Sequence, residues 1–396
     1  MLGSAVCAGN RSFAARVGSS FVGSSFIMSN NRSLLPAALR PSLLGWYDRH
    51  RRSLPWRTES GIDPNPYHVW LSEIMLQQTT VATVRSYFDD FLARWPTVID
   101  LAGANLDDVL HAWQGLGYYS RARNLHRCAG VVAGEMNGRF PEQEKDLAKL
   151  PGIGDYTAAA IAAIAFGRPV VPVDGNVKRV ISRMAMLETS GGALKARVQD
   201  AVSALAEGER PGDFAQALMD LGAMVCRPRT PLCTSCPWQS DCLARREGHP
   251  ERFPIRSPRK AKPVRFGVAF WLRHPDGAFW LRRRPESGLL GGMIEVPSTD
   301  WRTETWDGEE VHALAPRASA WRPLDGEVTH TFTHFHLRLS VWAGEAQSDD
   351  LADGFWCRPP NLQDHALPTV MKKIVRHALD RSGAWPAVQS SSVNNP

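Results

Sequence analysis

The sequence lacks the features of a membrane protein and of a secreted disulfide scaffold. No run of its 396 residues approaches the ~18 consecutive apolar residues of a membrane-spanning helix, so we expect no membrane partner. Four of the seven cysteines fall between positions 226 and 242, and the other three are scattered. A disulfide scaffold is shorter and pairs its cysteines more evenly, so we infer a reducing compartment and a metal site.

Acidic residues are absent from residues 1–47, which carry four arginines and many Ser, Gly and Ala. This composition is typical of a mitochondrial transit peptide. The alternative is a disordered or mis-assigned start, with Met28 as the true initiator. We prefer the alternative because patterned sequence begins only near Leu34, and we treat residues 1–33 as an extension.

The composition favours two domains of different class. A chain of 396 residues that is 43% hydrophobic can bury two ordinary cores, and its net charge of +6 fits a polyanionic partner. Helical periodicity runs up to residue 244, whereas alternating and β-branched segments begin at Val264. We predict an all-α domain over 34–244, a basic linker over 245–263, an α+β domain over 264–383 and a disordered tail over 384–396.

Residues 66–79, PYHVWLSEIMLQQT, contain a single acid, Glu73. On a helix that begins after Asn65, Glu73 shares a face with Trp70 and Leu76. A carboxyl on that face would be desolvated, which raises its pKa and suits a general acid. The alternative is a Glu at the edge of the face that reaches water or a backbone amide, and this stretch alone does not separate the two.

Residues 115–125, GLGYYSRARNL, interleave glycines, aromatic rings and arginines. Tyr118 offers a stacking face and Arg121 a cation, which together suit a wedge in a nucleic-acid stack. An ordinary loop with a tyrosine anchor is the alternative.

Residues 150–160, LPGIGDYTAAA, predict the end of one helix, a glycine turn and the start of another. Backbone N–H groups around Gly152 and Gly154, beside a helix N-terminus, form an anion site suited to one DNA phosphate. The alternative is a tight turn between two helices that binds nothing.

Asp174 precedes a helix that Lys178 makes basic. Asp is a preferred N-cap, so a purely structural role is one interpretation. The functional interpretation is an ionised carboxylate whose pKa the helix amides lower. Such an anion beside DNA phosphate is unfavourable unless a cationic reaction centre forms there.

The spacing Cys226-x6-Cys233-x2-Cys236-x5-Cys242 places four thiols in one short loop. Four thiolates bind either zinc or an iron–sulfur cluster. Structural zinc sites usually pair their ligands as two close doublets, and this loop has one doublet and two outliers, so we favour a 4Fe–4S cluster. Arg227 and Arg229 lie in the first loop of the site, where they could reach phosphate.

Together these segments resemble a known family. The motifs LPWR, SEIMLQQT, GLGYYSRARNL, LPGIGDYTAAAI, VDGNVKRV and MDLGAMVC and the cysteine spacing follow in order over much of the first domain. They resemble the helix-hairpin-helix, iron–sulfur superfamily of DNA glycosylases, which includes endonuclease III, and within it the MutY-type adenine DNA glycosylases. The resemblance implies one 4Fe–4S cluster on the four cysteines.

The resemblance also implies roles for individual residues. Glu73 would protonate adenine N7, and Asp174 would stabilise the oxocarbenium-like state or bond to it before water arrives. Tyr156 and Asn176 would orient these two carboxyls. The residues expected to contact DNA are Gln78, Tyr118, Arg121, Gly152, Gly154, Lys178, Arg227 and Arg229.

The second domain resembles the Nudix-like domain of the same family, which reads the oxidised guanine opposite the adenine. The segments ESGLLGGMIEVP and HTFTHFHL carry the match and imply recognition by Phe332, Thr333 and His334. The family usually has Ser where Thr333 stands, and Thr keeps the hydroxyl but adds a methyl. No Nudix box of clustered glutamates follows Gly292, so we expect no nucleotide hydrolysis.

Tyr156 separates this chain from relatives that also cut the strand. Bifunctional members such as endonuclease III carry a Lys here, which attacks the sugar and forms a Schiff base. We therefore expect a monofunctional glycosylase. Its partner would be double-stranded DNA with A:8-oxoguanine or A:G mispairs. The competing hypotheses are an oxidised-pyrimidine glycosylase/lyase and a non-catalytic iron–sulfur redox sensor.

The expected protein is a monomer in the bacterial cytoplasm, associated with the nucleoid. A mitochondrial or nuclear location would follow if residues 1–33 are a targeting peptide.

Overall fold

The computed structural model describes residues 35–36, 38–59, 61–256, 261–316, 320–346 and 353–382. The predictions for residues 1–33 and 384–396 lie outside these ranges. Within them, no helix combines the length and apolar character that crossing a membrane requires.

The chain is helical up to residue 252. Its helices are α1 (Leu39–His50), α2 (Pro66–Leu76), α3 (Val81–Arg94), α4 (Val98–Gly103), α5 (Leu106–Ala112), α6 (Ser120–Glu135), α7 (Glu144–Leu147), α8 (Asp155–Phe166), α9 (Gly175–Met184), α10 (Gly191–Ala206), α11 (Pro211–Asp220) and α12 (Leu243–Arg246). A π-helical turn, Leu221–Val225, extends α11, and short 3-10 turns span Cys233–Ser235 and Pro250–Arg252.

Helix α2 begins where the sequence predicts. The Asn65 side chain accepts a hydrogen bond of 2.9 Å from the Tyr67 N–H, and Pro66 occupies the first turn. Pro costs nothing there because its missing N–H would have no partner inside the helix. The start of α2 is therefore encoded locally.

Two apolar cores hold the helices. One is built from α2 to α8, and the other from α1, α9, α10 and α11. Helix α8 contacts both α2 and α11, and its Ala158, Ala160 and Ala162 are fully buried. Small side chains let neighbouring backbones approach, and a Cβ on Gly212 of α11 would stand 2.8 Å from the Ala163 carbonyl oxygen. The face of α2 that carries Glu73 is thereby pressed against α8.

From Val264 the chain forms a six-stranded mixed sheet. Its strands are β1 (Val264–Arg273), β2 (Phe279–Arg283), β3 (Ile294–Glu295), β4 (Trp321–Thr331), β5 (His336–Glu345) and β6 (Gly354–Cys357), in the order β3-β2-β1-β5-β4, with β6 paired to β2. Strands β1 and β5 are parallel, with Val264 opposite His336, and the other pairs are antiparallel.

Helices cover both faces of this sheet. Helix α14 (Thr369–Ser382) packs on one face, and α13 (Gly308–Leu314) lies on the other. Strand β1 is buried on both sides, which explains its almost continuous apolar run. The predicted order of an all-α domain followed by an α+β domain is confirmed. Helix α13 was not predicted, and residues 332–335 break the predicted strand segment HTFTHFHL into a hairpin.

The two parts of the chain pack against each other. The Gln114 amide donates to the His365 carbonyl at 2.8 Å, and Lys372 donates to Gln114 at 2.9 Å. Arg283 pairs with Asp107 at 2.7 Å. The interface brings the hairpin between β4 and β5 to the loop that follows α5.

Candidate active site

Glu73 is buried between helices. Its side chain lies on the face of α2 that packs on α8, and only 7% of the residue is exposed. Burial raises the pKa of Glu73 to about 7, opposed by a hydrogen bond with Tyr156 and assisted by the nearby charge of Asp174. Of the two interpretations that the sequence left open, the structure has the desolvated acid.

Asp174 is the N-cap of α9. One carboxylate oxygen accepts from the Val177 N–H at 2.7 Å, and the other accepts from the Asn176 side-chain amide at 2.8 Å. The predicted lowering of its pKa is wrong. Burial raises the pKa of Asp174, and the helix amides only partly offset that effect, because desolvation of the carboxylate is the larger contribution.

Tyr156 is hydrogen-bonded to Glu73 and lies within the electrostatic influence of Asp174. It lies in the first turn of α8, and burial together with the charges of Glu73 and Asp174 raises the pKa of its hydroxyl well above the usual value. The hydroxyl therefore stays protonated and donates to Glu73. A phenol that cannot ionise holds one carboxyl in place without adding charge to the site.

A cavity opens beside Glu73. We call it the Glu73 cavity, and its lining residues are Arg52, Leu54, Trp56, Arg57, Val69, Ser72, Glu73, Leu76, Val81, Ile164, Gln216 and Met219. Its walls are largely apolar, with a few polar groups that could fix the orientation of a flat ligand.

Buried Asp220 anchors the two arginines of this cavity. Arg57 donates to both of its carboxylate oxygens, at 2.7 and 2.9 Å, and Arg52 adds a contact of 2.6 Å. Burial would raise the pKa of Asp220, but the hydrogen bonds and charges of the arginines hold it below the usual value. Sequence reasoning missed Asp220 and Gln216 as parts of the site. The motif MDLGAMVC contains Asp220 and was an available signal for it, whereas Gln216 lies outside the quoted motifs.

The four cysteines of the predicted metal site line one cavity at the end of α9. Arg183, which is 2% exposed, donates to the Cys226 sulfur at 3.3 Å and to the carbonyls of Arg227 and Pro228. Among the described residues, no three His, Cys, Asp or Glu side chains stand close enough to hold a metal ion. The four thiols nevertheless line the same cavity. Thiolates are the ligands of an iron–sulfur cluster, which is larger than a single metal ion, so the donor chemistry fits such a cluster.

The predicted DNA-contacting residues on turns are mostly exposed. Gln78 and Tyr118 have left-handed backbones, with φ of 59° and 48°, and Tyr118 is 44% exposed. Gly152 has a φ of +77°, a left-handed conformation that favours glycine, and a Cβ there would also stand 2.7 Å from the Asn124 Cβ. Gly154 is the N-cap of α8 and has no side chain to cap that helix. The turn leaves the first N–H groups of α8 at an exposed surface.

The basic residues differ in exposure. Arg227 and Arg229 are exposed on the cysteine loop, and Lys178 is half-buried on α9. Arg179, which was not predicted as a site residue, donates to the Asn176 side chain at 2.8 Å and to the Gly222 carbonyl at 2.6 Å. It therefore connects the partner of Asp174 to the segment that leads to Cys226.

The prediction that Arg121 contacts DNA is wrong. Its guanidinium is buried and donates to the carbonyls of Ile74, Met75 and Gln77 at the end of α2, and to those of Leu116 and Gly117. Burial lowers its pKa to about 10, so the group stays charged. Arg121 thus satisfies the free carbonyls of the helix that carries Glu73.

The hairpin tip, residues 332–335, joins β4 to β5 and meets the other domain. Thr333 and His334 are exposed, and Phe332 is half-buried. The hydroxyl of Thr333 is hydrogen-bonded to the hydroxyl of Tyr118. The structure thus brings together the residues predicted to read the opposite base and the residue predicted to wedge beside it.

Two family models match the chain. Residues 71–203 match the model of the HhH-GPD superfamily base excision DNA repair protein, and residues 268–377 match the NUDIX domain model. The first range contains Glu73, Tyr156 and Asp174, and the second contains the sheet and the hairpin tip.

Named relatives are similar over most of the chain. The adenine DNA glycosylase of Homo sapiens is 36% identical, over 91% of this chain and 77% of the relative. That of Arabidopsis thaliana is 39% identical, over 76% of this chain and 56% of the relative. That of Buchnera aphidicola subsp. Acyrthosiphon pisum is 35% identical, over 85% of this chain and 96% of the relative.

Solved structures align with about half of the chain. A thermostable thymine-DNA glycosylase covers 53% of this chain and 96% of its own, at 29% identity and a TM-score of 0.47. A non-covalent endonuclease III–DNA complex covers 54% of this chain and 98% of its own, at 23% identity and a TM-score of 0.45.

Replacing Gly222 by Ala should displace Asn176 and weaken adenine release. The added Cβ would stand 2.6 Å from the Asn176 Cβ and 3.0 Å from its Cα, so the first turn of α9 must shift. We expect single-turnover release to fall about tenfold or more, with a loss of ~1–3 kcal/mol in the free energy of unfolding. Gly192→Ala is the matched control, because a Cβ there meets nothing within 4 Å. Equal activity of the two variants would contradict the prediction.

Proposed function

The chain belongs to the MutY-type adenine DNA glycosylase family of base excision repair enzymes, and we propose that Glu73 and Asp174 carry its chemistry. The enzyme hydrolyses the N-glycosidic bond of adenine in DNA. The observation that supports this assignment most directly is the buried Glu73, whose pKa is raised to about 7 beside a second carboxyl. We propose double-stranded DNA with adenine opposite 8-oxoguanine or guanine as the substrate.

The Glu73 cavity receives the adenine after it leaves the stack. Chemistry on a base inside a duplex requires the nucleotide to be extruded into a pocket. Leu54, Trp56 and Met219 offer apolar faces to the purine ring, and the Gln216 amide offers a donor and an acceptor to its edge. Glu73 in its protonated form gives its proton to N7, which makes adenine a better leaving group.

Asp174 acts in its ionised form. When the C1′–N9 bond breaks, its electron pair stays with the protonated adenine, and positive charge develops on the sugar. The carboxylate stabilises that charge directly or through a bond to C1′, which water then breaks, as in retaining sugar hydrolysis. The Val177 N–H and the Asn176 amide fix both of its oxygens. In this proposal Glu73 is the protonated carboxyl and Asp174 is the ionised one, and their different environments favour these two states.

Tyr156 makes the enzyme a monofunctional glycosylase in this proposal. A phenol hydroxyl cannot form a Schiff base with the sugar. The side chains that shift the pKa of Glu73 are those of Tyr156, Asp174 and Arg57, and none of them is a lysine amine. The abasic product should therefore keep an intact strand. This residue argues against the glycosylase/lyase hypothesis, and the paired carboxyls argue against a purely redox role.

The opposite base is read at the hairpin tip. Thr333 and His334 are exposed there, and Thr333 is bonded to Tyr118, which we propose inserts into the stack beside the oxidised guanine. Gln78 fills the space that the extruded adenine leaves in the DNA duplex. The DNA backbone is held at Gly152, Gly154, Lys178, Arg227 and Arg229.

We propose that Cys226, Cys233, Cys236 and Cys242 hold one 4Fe–4S cluster. The cluster would cross-link the loop and so keep Arg227 and Arg229 at the DNA surface. Arg183 supports the same loop through the carbonyls of Arg227 and Pro228, at 2.7 and 3.0 Å. The cluster's role in this proposal is structural.

Glu73→Gln should bind the mispaired duplex but release no adenine, because an amide cannot donate the proton to N7. We expect single-turnover release to fall by about 10³-fold or more, with duplex affinity within about threefold of wild type. The measurement is alkali-labile sites from a duplex with A opposite 8-oxoguanine. Glu135→Gln, an exposed change on α6, is the control. Near-normal release by Glu73→Gln would eliminate Glu73 as the acid.

The pH profile should follow the raised pKa of Glu73. The acid form is complete well below pH 7 and is lost as the pH rises through the pKa of about 7. Single-turnover release should therefore fall about tenfold per pH unit above the pKa of Glu73, and it should fall again at lower pH, where Asp174, whose pKa is also raised by burial, takes up a proton. A rate that rises through this range would be incompatible with a protonated Glu73.

Cys236→Ala should harm folding and DNA affinity more than chemistry. We expect lower iron content, a lower Tm and weaker duplex binding, with release at saturating enzyme within about threefold of wild type. Cys357→Ala, a buried cysteine in the second domain, is the control and should keep its iron. Unchanged iron content, Tm and binding in Cys236→Ala would oppose the proposal.

A further inference from the structure

The hairpin tip rests on a stack of aromatic rings. Phe332 lies 5.5 Å from Trp301 with an interplanar angle of 30°, and 4.9 Å from Phe335 at 33°. The His330 ring meets Phe332 edge-on at 4.6 Å. Of the four rings in this described stack, only Trp301 lies outside the β4–β5 hairpin, so it provides the aromatic contact between the stack and the rest of the domain.

Trp301 is itself held by the sheet. Its neighbour Arg302 exchanges backbone hydrogen bonds of 2.7 and 3.1 Å with Phe266 of β1. Gly267 leaves the space that the indole ring occupies, since a Cβ there would stand 2.6 Å from Trp301 Cδ1. The backbone next to Trp301 is therefore fixed by β1, and the indole ring occupies the space that Gly267 leaves.

A half-buried charge lies over the same ring. The Arg284 guanidinium lies 5.4 Å from the centre of the Trp301 ring. Arg284 and Arg282 both bind Glu295, whose side chain is 1% exposed. A contiguous column thus runs from Glu295 through Arg284 and Trp301 to Phe332, and a guanidinium over an indole face is attractive.

The ring face of Trp301 matters here, and its N–H does not. Trp301 Nε1 is buried and has no hydrogen-bond partner among the described residues. A buried unpaired N–H costs free energy, so this nitrogen does not explain the choice of residue. A phenylalanine would keep a stacking face, whereas a leucine would not.

We propose that Trp301 is a positioning residue for the hairpin tip, and that through Phe332 it sets how strongly the enzyme prefers 8-oxoguanine over guanine opposite adenine. The inference rests on the proposed reading of the opposite base by Thr333 and His334. Both side chains are exposed on the tip, so their placement depends on the backbone that Phe332 anchors. Lys262 adds one bond of 2.9 Å to the Phe332 carbonyl.

The test compares Trp301→Leu with Trp301→Phe. The readout is the ratio of single-turnover rate constants for A:8-oxoguanine over A:G at saturating enzyme, with Tm measured in parallel. We expect Trp301→Leu to lower the ratio about tenfold, which corresponds to ~1.4 kcal/mol. The A:G rate should stay within about twofold of wild type, and Trp301→Phe should restore the ratio.

Trp271→Leu is the matched control. Trp271 is a buried tryptophan of β1 that, like Trp301, has an unpartnered Nε1, and it stacks on Phe279 at 4.5 Å, away from the tip. It should lower Tm and leave the ratio unchanged. If Trp301→Leu does not fold, Gly267→Ala displaces the indole by the clash of its Cβ and should lower the ratio in the same way.

Three outcomes would overturn the inference: an unchanged ratio in Trp301→Leu and Gly267→Ala, an equal loss in Trp271→Leu, or no rescue by Trp301→Phe. A wild-type enzyme without any preference for 8-oxoguanine would instead refute the proposed function on which the inference rests.

Discussion

The burial of one carboxyl group is the constraint on which the helical domain depends. An ionised carboxylate out of water costs several kcal/mol unless it is paired. Glu73 is 7% exposed, and its pKa of about 7 is the result. Burial and the nearby charge of Asp174 outweigh the hydrogen bond from Tyr156, which acts to lower the pKa, so Glu73 keeps a proton that an exposed Glu would lose. The surrounding helices must be rigid enough to exclude water from this one position.

The charge of Arg57 acts against protonation of Glu73, and Asp220 limits that effect. Arg57 acts to lower the pKa of Glu73, yet its guanidinium is spent on two hydrogen bonds to Asp220. Asp220 neutralises much of its charge at short range. Arg57 thus has a fixed position in the wall of the Glu73 cavity. An arginine without such a partner would favour the ionised form of Glu73 more strongly.

Local signals predicted the elements, and long-range contacts decided the roles. The Asn65 cap, the helical spacing around Glu73, Asp174 as an N-cap and the four cysteines are all visible within short windows, and so is the alternation of the strands. The pKa of Asp174 and the role of Arg121 are not. Each depends on contacts with a distant segment of the chain. Arg121 turns inward because the end of α2 offers unpaired carbonyls, and one of these, the carbonyl of Ile74, is 47 residues away in sequence. A window around residues 115–125 contains no information about that partner.

One loop connects the two tasks of the molecule. Gln114 and Tyr118 bind the second domain, and Arg121, three residues further on, binds the carbonyl of Ile74, the residue after Glu73. The Arg121 guanidinium also lies 5.6 Å from the Tyr118 ring. The packing between the hairpin tip and α2 is therefore contiguous. In the proposed function both bases of one pair are engaged together, the adenine in the Glu73 cavity and its partner at the hairpin tip, and contiguous packing between these two places sets their separation.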